Sequence, residues 1–409
     1  MKIHQIHNVN GNFGDELNGW MWQELYPELF AGDDPDDGVD FIGIGTILDR
    51  HLPSRGLNVV LGSGTGYAPP PDIRANPAHW CVYGVRGPLT AQLLDLPREA
   101  VLTDPAILLA EHPRWRGPRP AVNGERVSGE GVSGERVSGE QGRVIFVPHW
   151  KSIRFGQWQA ACELAQIDFV DPCGDAREVI DRIAGARLVV AESMHAAIIA
   201  DALRVPWVPV VLSREVAPFK WADWAATVGL EYTPLLLSPS SPVEVLRGEV
   251  LEHSAFSYIS DYGFQARADG GPRELGWSRE QLLHDHAQSI GKVAASWRWH
   301  ASIYAEALLK RLARIAPGTH QRVAPGTYQR YRDQAAAQLI QAAEAPSFLS
   351  GDAAHRRALQ RCQEAVERLA ADRREGRLAA WARARTTSSP VVRELAQVRV
   401  IDSMVRETT

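Results

Sequence analysis

At 409 residues the chain is too long for one ordinary core, and roughly 100–200 residues per domain divides it into two or three. With 45% hydrophobic and 23% charged residues it has the composition of a globular protein, and a net charge of −5 gives no support to bulk nucleic-acid or membrane binding. Four scattered cysteines, Cys81, Cys162, Cys173 and Cys362, form no C-x-x-C pair and match no zinc spacing, so they read as reduced cytosolic thiols and no metal site is expected.

The N-terminal stretch lacks the apolar core of a signal peptide, and no run of about 18 apolar residues occurs. A cytoplasmic protein without a membrane span is therefore expected. Ile3–Ile6 reads as a buried strand, followed by a Gly/Asn loop and a helix near Glu16–Leu25. Asp40–Ile44 and Asn58–Leu61 are further strand candidates, the latter running into Gly62-Ser63-Gly64-Thr65-Gly66. Trp80–Val85 is a fourth, and a helix is predicted from Pro88, where a missing N–H costs nothing. Strands alternating with helices imply a mostly parallel, doubly wound sheet.

Residues 122–141 interrupt this rhythm with a ten-residue tandem repeat, VNGERVSGEG then VSGERVSGEQ. Gly, Ser, Glu and Arg bury too little surface to order a segment, so a flexible linker is expected at 121–142. Strands then recur at Val144–Val147, Ile167–Val170, Leu188–Ala191 and Trp207–Leu212, with helices at Asp175–Ala184 and Met194–Leu203. The expected organisation is an α/β lobe over 1–120, the linker, a second α/β lobe over 143–240 and a mainly helical extension over 241–409. In that extension Ser278–Leu312 and Ala354–Ala371 look helical, and a second repeat, IAPGTHQR then VAPGTYQR (315–330), is expected to break helices with its Pro-Gly pairs. Leu359, Cys362, Val366 and Leu369 fall on one apolar stripe, predicting a packed helix, with a membrane-surface helix as the rival reading.

Four motifs sit at predicted strand ends, where open α/β sheets bind ligands. Gly11-Asn12-Phe13-Gly14-Asp15-Glu16 combines a close backbone approach with a helix start, and Asp15 is a suitable N-cap. Gly62-Ser63-Gly64-Thr65-Gly66 lacks both the dinucleotide spacing and the P-loop lysine, leaving a tight turn and a ligand loop both open. Arg86 in Val85-Arg86-Gly87-Pro88-Leu89-Thr90 can offer a guanidinium to a phosphate or carboxylate, or form an ion pair. In Glu192-Ser193-Met194-His195-Ala196, Ser193 can cap the next helix and His195 falls in its first turn, beside the positive end that favours an anion.

In this order, G-N-x-G-D-E, G-x-G-T, V-R-G-P-x-T and S-x-H-A-x-I-x-A-D-A-L-x-V-P-W resemble the polysaccharide pyruvyl transferases, in particular the branch adding pyruvate ketals to bacterial exopolysaccharides. The resemblance covers roughly residues 1–230 without the linker. It implies two Rossmann-like lobes similar to the glycosyltransferase-B arrangement, phosphoenolpyruvate as donor substrate with no cofactor, a sugar acceptor expected to be lipid-linked, and contact with the inner membrane face. Family members commonly carry R-x-H on the second lobe; here His195 matches the histidine and Ser193 stands in the arginine's place. Lys220, or Lys151 and Arg154, are the cations available to replace it.

On this reading Arg86 and Lys220 clamp anions, and His195 is the acid or a phosphate ligand. Asp15 or Glu192 deprotonates the acceptor hydroxyl. Asn12, Gly14, Gly62, Gly64, His149 and Ser193 line the substrate. The competing expectations are a nucleotide-sugar glycosyltransferase of similar fold and a non-catalytic carbohydrate-binding subunit.

Overall fold

The computed structural model describes residues 1–5, 11–31, 38–49, 52, 56–67, 69–116, 142–213, 216–245, 271, 273–274, 276–293, 325–384 and 399–400. The tandem repeat at 122–141, the segment 294–312 of the expected helix and the first half of the second repeat lie outside these residues. The chain forms two compact units, one of Met1–Arg116, Phe219–Glu231 and Ser350–Thr409, the other of Gly117–Pro218 and Tyr232–Leu349. Residues after 240 are thus shared between both units.

The first unit holds a parallel sheet in the order β1 (Lys2–Ile3), β2 (Val39–Ile42), β3 (Leu57–Leu61), β4 (Trp80–Gly84) and the strand Arg399–Val400. Every residue of β3 and β4 is buried, the pattern of strands covered on both faces. The first helical stretch starts earlier than its apolar residues suggest. It runs as α1 (Phe13–Glu16), a 3₁₀ turn at Leu17–Gly19 and α2 (Met21–Leu25). Asn12 is its N-cap and accepts from the Gly14 amide (3.3 Å), whereas Asp15 lies inside the helix. The asparagine lies just ahead of the first helical residue in extended conformation, the geometry a cap requires. Helix α3 (Pro88–Leu93) begins at Pro88 as predicted.

The helix Asp352–Arg374 packs on this unit against the 3₁₀ segment Pro105–Glu111 and β4. It buries Ala358, Cys362, Ala365, Val366 and Leu369, so its apolar stripe is spent on the core. Each Val or Leu so buried contributes about 1.5–3 kcal/mol relative to exposure. Tyr83 on β4 donates to Asp372 Oδ2 at 2.5 Å, locking the helix end to the sheet. No helix among the described residues is long and apolar enough to cross a membrane.

The second unit carries β5 (Val144–Val147), α4 (Trp158–Ala165), β6 (Asp168–Phe169), α5 (Ala176–Ala184), β7 (Leu188–Ala191), α6 (Met194–Ala202), β8 (Trp207–Val211), β9 (Leu235–Leu236) and β10 (Arg273–Glu274). The sheet order is β6-β5-β7-β8-β9-β10, parallel throughout except for the β9–β10 pair. The chain leaves β5 outward to β6 and returns across it to β7. This doubly wound order therefore has its switch point between β5 and β7, where the loops after two adjacent strands diverge and leave a crevice. The helix Pro325–Glu344 packs on α4 through Ala335, Ala336, Leu339 and Ala342. Pro325 opens that helix instead of breaking one, because a first-turn residue has no intrahelical partner for its N–H.

Candidate active site

In the first unit the predicted loops meet around a carboxylate that the motif reading missed, Asp223. It lies on the helix Pro218–Ala225, between the buried Trp221 and Trp224. Its Oδ1 accepts from the amides of Leu89 (2.8 Å) and Thr90 (2.9 Å), and its Oδ2 from the Thr90 hydroxyl (2.6 Å) and Arg86 Nε (3.1 Å). Arg86 is fully buried and also donates through Nη1 to Thr46 Oγ1 (2.8 Å) and through Nη2 to the Thr65 carbonyl (2.7 Å).

The expectation of Arg86 as an anion clamp is therefore corrected. Its guanidinium is neutralised internally and fixes the glycine-rich loop. A Cβ at Gly87 would stand 2.0 Å from the Asp223 carbonyl oxygen, and one at Gly64 2.4 Å from Arg86 Cζ. The motif R-G-P-x-T is thus a socket for Asp223: arginine for charge, glycine for clearance, proline to start the helix and threonine for a third donor. The signal in the sequence was an acid inside the run Trp221-Ala222-Asp223-Trp224, whose two tryptophans are core residues about one helical turn apart.

Gly62, Ser63 and Gly64 form the turn after β3, with the Gly62 amide on the Gly84 carbonyl (2.8 Å) and Ser63 Oγ on that of Gly45 (3.0 Å). The half-buried Asp15 takes a hydrogen bond from Asn12 Nδ2 (2.7 Å), while Gly14 is buried in α1. Burial raises the Asp15 carboxyl above its ordinary range, opposed by the Asn12 bond and the charge of Lys220. Lys220 is buried and hydrogen-bonds the Tyr67 hydroxyl, its ammonium 4.5 Å from that ring's centre. Asn12, Asp15, Lys220 and Tyr67 thus form one polar group of this unit. Tyr67 was not anticipated; it directly follows the glycine loop.

In the second unit the switch point gathers the other predicted residues. Glu192, just beyond β7, accepts from the amides of His149 (2.8 Å) and Leu212 (3.1 Å), tying together the ends of β5 and β8. Burial pushes its carboxyl up to about 7, against the hydrogen bonds from the His149 and Leu212 amides that pull the other way. At 1% exposure, with both oxygens on backbone amides, it is a strut of the strand ends, which corrects its expected role as a base on substrate. Ser193 occupies the N-cap position of α6, yet its side chain makes no capping bond. His195 is in the first turn as predicted and 8% exposed.

The loop after β5 supplies the charge. His149 is followed by Trp150, with Lys151 Nζ 5.3 Å and Arg154 Cζ 4.9 Å from its ring centre. Lys151 lies in a turn closed by the Ser152 amide on the His149 carbonyl (2.8 Å), and Arg154 ends the 3₁₀ segment Ser152–Arg154 that continues it. The α6 amides add a positive helix end beside this loop. No cluster of three metal-ligating side chains occurs among the described residues.

These features define a doubly wound α/β protein whose second sheet has its switch point between β5 and β7, with Lys151 and Arg154 in the segment after β5 and His195 in the first turn of α6. Residues 34–214 match the polysaccharide pyruvyl transferase family. The chain is similar to the succinoglycan biosynthesis protein ExoV of Rhizobium meliloti (strain 1021), 37% identical over 254 residues that span 60% of this chain and 71% of that protein. It therefore belongs to the polysaccharide pyruvyl transferase family and is an enzyme of that kind. No solved structure matches it at a significant level.

Proposed function

We propose that the chain transfers the enolpyruvyl unit of phosphoenolpyruvate onto two hydroxyls of a sugar in an exopolysaccharide repeat, forming a pyruvate ketal. The observation that carries this reading is the pair of cations, Lys151 and Arg154, in the segment after β5 beside the β5–β7 switch point, with His195 in the first turn of α6. A donor bearing a carboxylate and a phosphate requires such a surface. The similarity to a succinoglycan biosynthesis protein supports a polysaccharide acceptor, which we take to be lipid-linked and presented at the inner membrane face.

The chemistry needs an acid, a base and fixed positive charge. One sugar oxygen bonds to C2 of the enol as its own proton leaves and C3 gains a proton. The bond from C2 to the phosphate oxygen then breaks, and the second hydroxyl closes on C2 with loss of its proton. The net products are the ketal and inorganic phosphate. We assign proton delivery, or a hydrogen bond to the leaving phosphate, to His195, and acceptor deprotonation to Asp15, whose raised carboxyl affinity for protons suits a base. His149 and Ser193 line the donor crevice. Lys220, beside Asp15, stabilises its anionic form.

The experiment is transfer from isotope-labelled phosphoenolpyruvate to a lipid-linked saccharide repeat, with phosphate release followed in parallel. Label in the glycan with one phosphate released per ketal is expected. Transfer from a nucleotide sugar instead, or binding of saccharide with no turnover, overturns the proposal in favour of a glycosyltransferase or a binding subunit.

A further inference from the structure

The 3₁₀ segment Ser152–Arg154 contains a charge that no described residue neutralises. Arg154 Nη2 is buried and hydrogen-bonds nothing among the described residues, while the guanidinium lies 4.9 Å over Trp150. A guanidinium is always protonated and can only donate. Burying such a donor without an acceptor costs far more than leaving it in water, so a fold keeps one where something else supplies the acceptor. Packing on Trp150 fixes the plane of the fork, which presents its donors in the geometry that suits a phosphate. The turn lies at the carboxyl end of β5, beside the β5–β7 switch point and α6, and Lys151 adds a second positive charge against the same indole.

The other cations considered for this task are committed elsewhere. Arg86 is neutralised by Asp223, and Lys220 is held by Tyr67 and Asp15 within the first unit.

We propose that Arg154, supported by Lys151 and held in plane by Trp150, is the clamp for the phosphate of the donor. The proposal rests on the donor reading above for the identity of the ligand, though not for the class of anion. A phosphate monoester dianion takes two donors from the Arg154 fork and the amides at the start of α6. Ser193, its hydroxyl not spent on capping, lies at the entry to those amides.

The test compares the full chain with Arg154→Gln, Arg154→Met and Arg154→Lys. Thermal melting is followed without ligand and with inorganic phosphate or phosphoenolpyruvate, and KM and kcat are measured for phosphoenolpyruvate. Both anions are expected to raise the wild-type Tm. Without ligand, Arg154→Met should melt within about 2 °C of wild type, because the variant removes a buried donor that no protein acceptor satisfies. Anion binding and KM should weaken by about 10- to 100-fold in the Gln and Met variants, as for loss of hydrogen bonds to a charged group, with partial recovery in Arg154→Lys. Variants that bind both anions as wild type does overturn the proposal. So does an Arg154→Met chain that melts far below wild type without ligand, since that marks a structural arginine. A wild type that binds neither anion removes the clamp as well. If phosphate binds through Arg154 and no pyruvyl group is transferred, the clamp stands and the donor reading falls.

Discussion

The socket for Asp223 makes a demanding prediction, because one carboxylate is held by two backbone amides, a hydroxyl and a guanidinium, all buried. Asp223→Ala leaves the Arg86 charge without its counter-ion in the core, and removal of one partner of a buried ion pair costs about 3–5 kcal/mol. The same substitution uncaps α3, which is worth about 1 kcal/mol alone. The two losses share atoms and do not add fully, so about 3–5 kcal/mol in all is expected. At about 2–4 °C per kcal/mol for a domain of this size, the first unit should melt at least about 6 °C early. Arg86→Ala should cost less, because Asp223 keeps the Leu89 and Thr90 donors. The double variant should lose less than the sum of the singles, giving a coupling energy of at least about 1 kcal/mol. Differential scanning calorimetry of the four chains gives the cycle. An Asp223→Ala chain that melts within 2 °C of wild type would refute the socket. An Arg86→Ala chain of wild-type stability with a much raised KM for phosphoenolpyruvate would return Arg86 to the role of a ligand contact.

Three further outcomes are expected. Gly64→Ala places a methyl 2.4 Å from Arg86 Cζ, so it should destabilise by about 1–3 kcal/mol as overpacking does, and a Tm equal to wild type would show that the loop yields freely. Glu192 holds its proton more tightly folded, at about 7 against an ordinary 4.5, so its contribution to stability is fully present below about pH 4.5 and is lost as pH rises through about 7. Glu192→Gln should remove that pH dependence while lowering stability overall, because its amide nitrogen would face a backbone donor; unchanged pH profiles of urea unfolding would contradict this. His195→Ala should keep its Tm and lose about 10²-fold or more in turnover, whereas an early-melting chain with full specific activity would assign the histidine to packing.

Much of the fold was legible because it rests on local rules. Continuous apolar runs gave β3, β4, β5, β7 and β8 to within about a residue, since strands covered on both faces cannot afford polar alternation. Pro88 and Asp175 marked helix starts by chemistry that needs no tertiary partner, and Asp175 does accept from the amides of Arg177 and Glu178. The errors fall where a distant group decides. Asp15 and Asn12 are both good caps, and only the backbone conformation of Asn12 selects it. Arg86 read as a ligand contact because its partner lies 137 positions away. Glu192 read as a base because a carboxylate beyond a strand end has the same local sequence whether it faces a substrate or two amides.

The two sheets differ in what they can offer a small anion, and the difference follows from winding order. In the first unit β1 to β4 lie side by side in chain order, so no crevice is forced open between neighbouring loops. Its glycine loop, Arg86 and Asp223 use their polar atoms on one another. In the second unit the return from β6 across β5 separates the loops that follow β5 and β7. Those loops and the first turn of α6 carry His149, Lys151, Arg154, Ser193 and His195, and Glu192 ties the strand ends together from within. A buried strut that supports a cationic rim is a division of labour that sequence motifs cannot display, because strut and rim are contiguous in E-S-M-H. For the same reason, substitutions of Glu192 should act on stability and on donor KM together, while those of His195 should act on turnover alone.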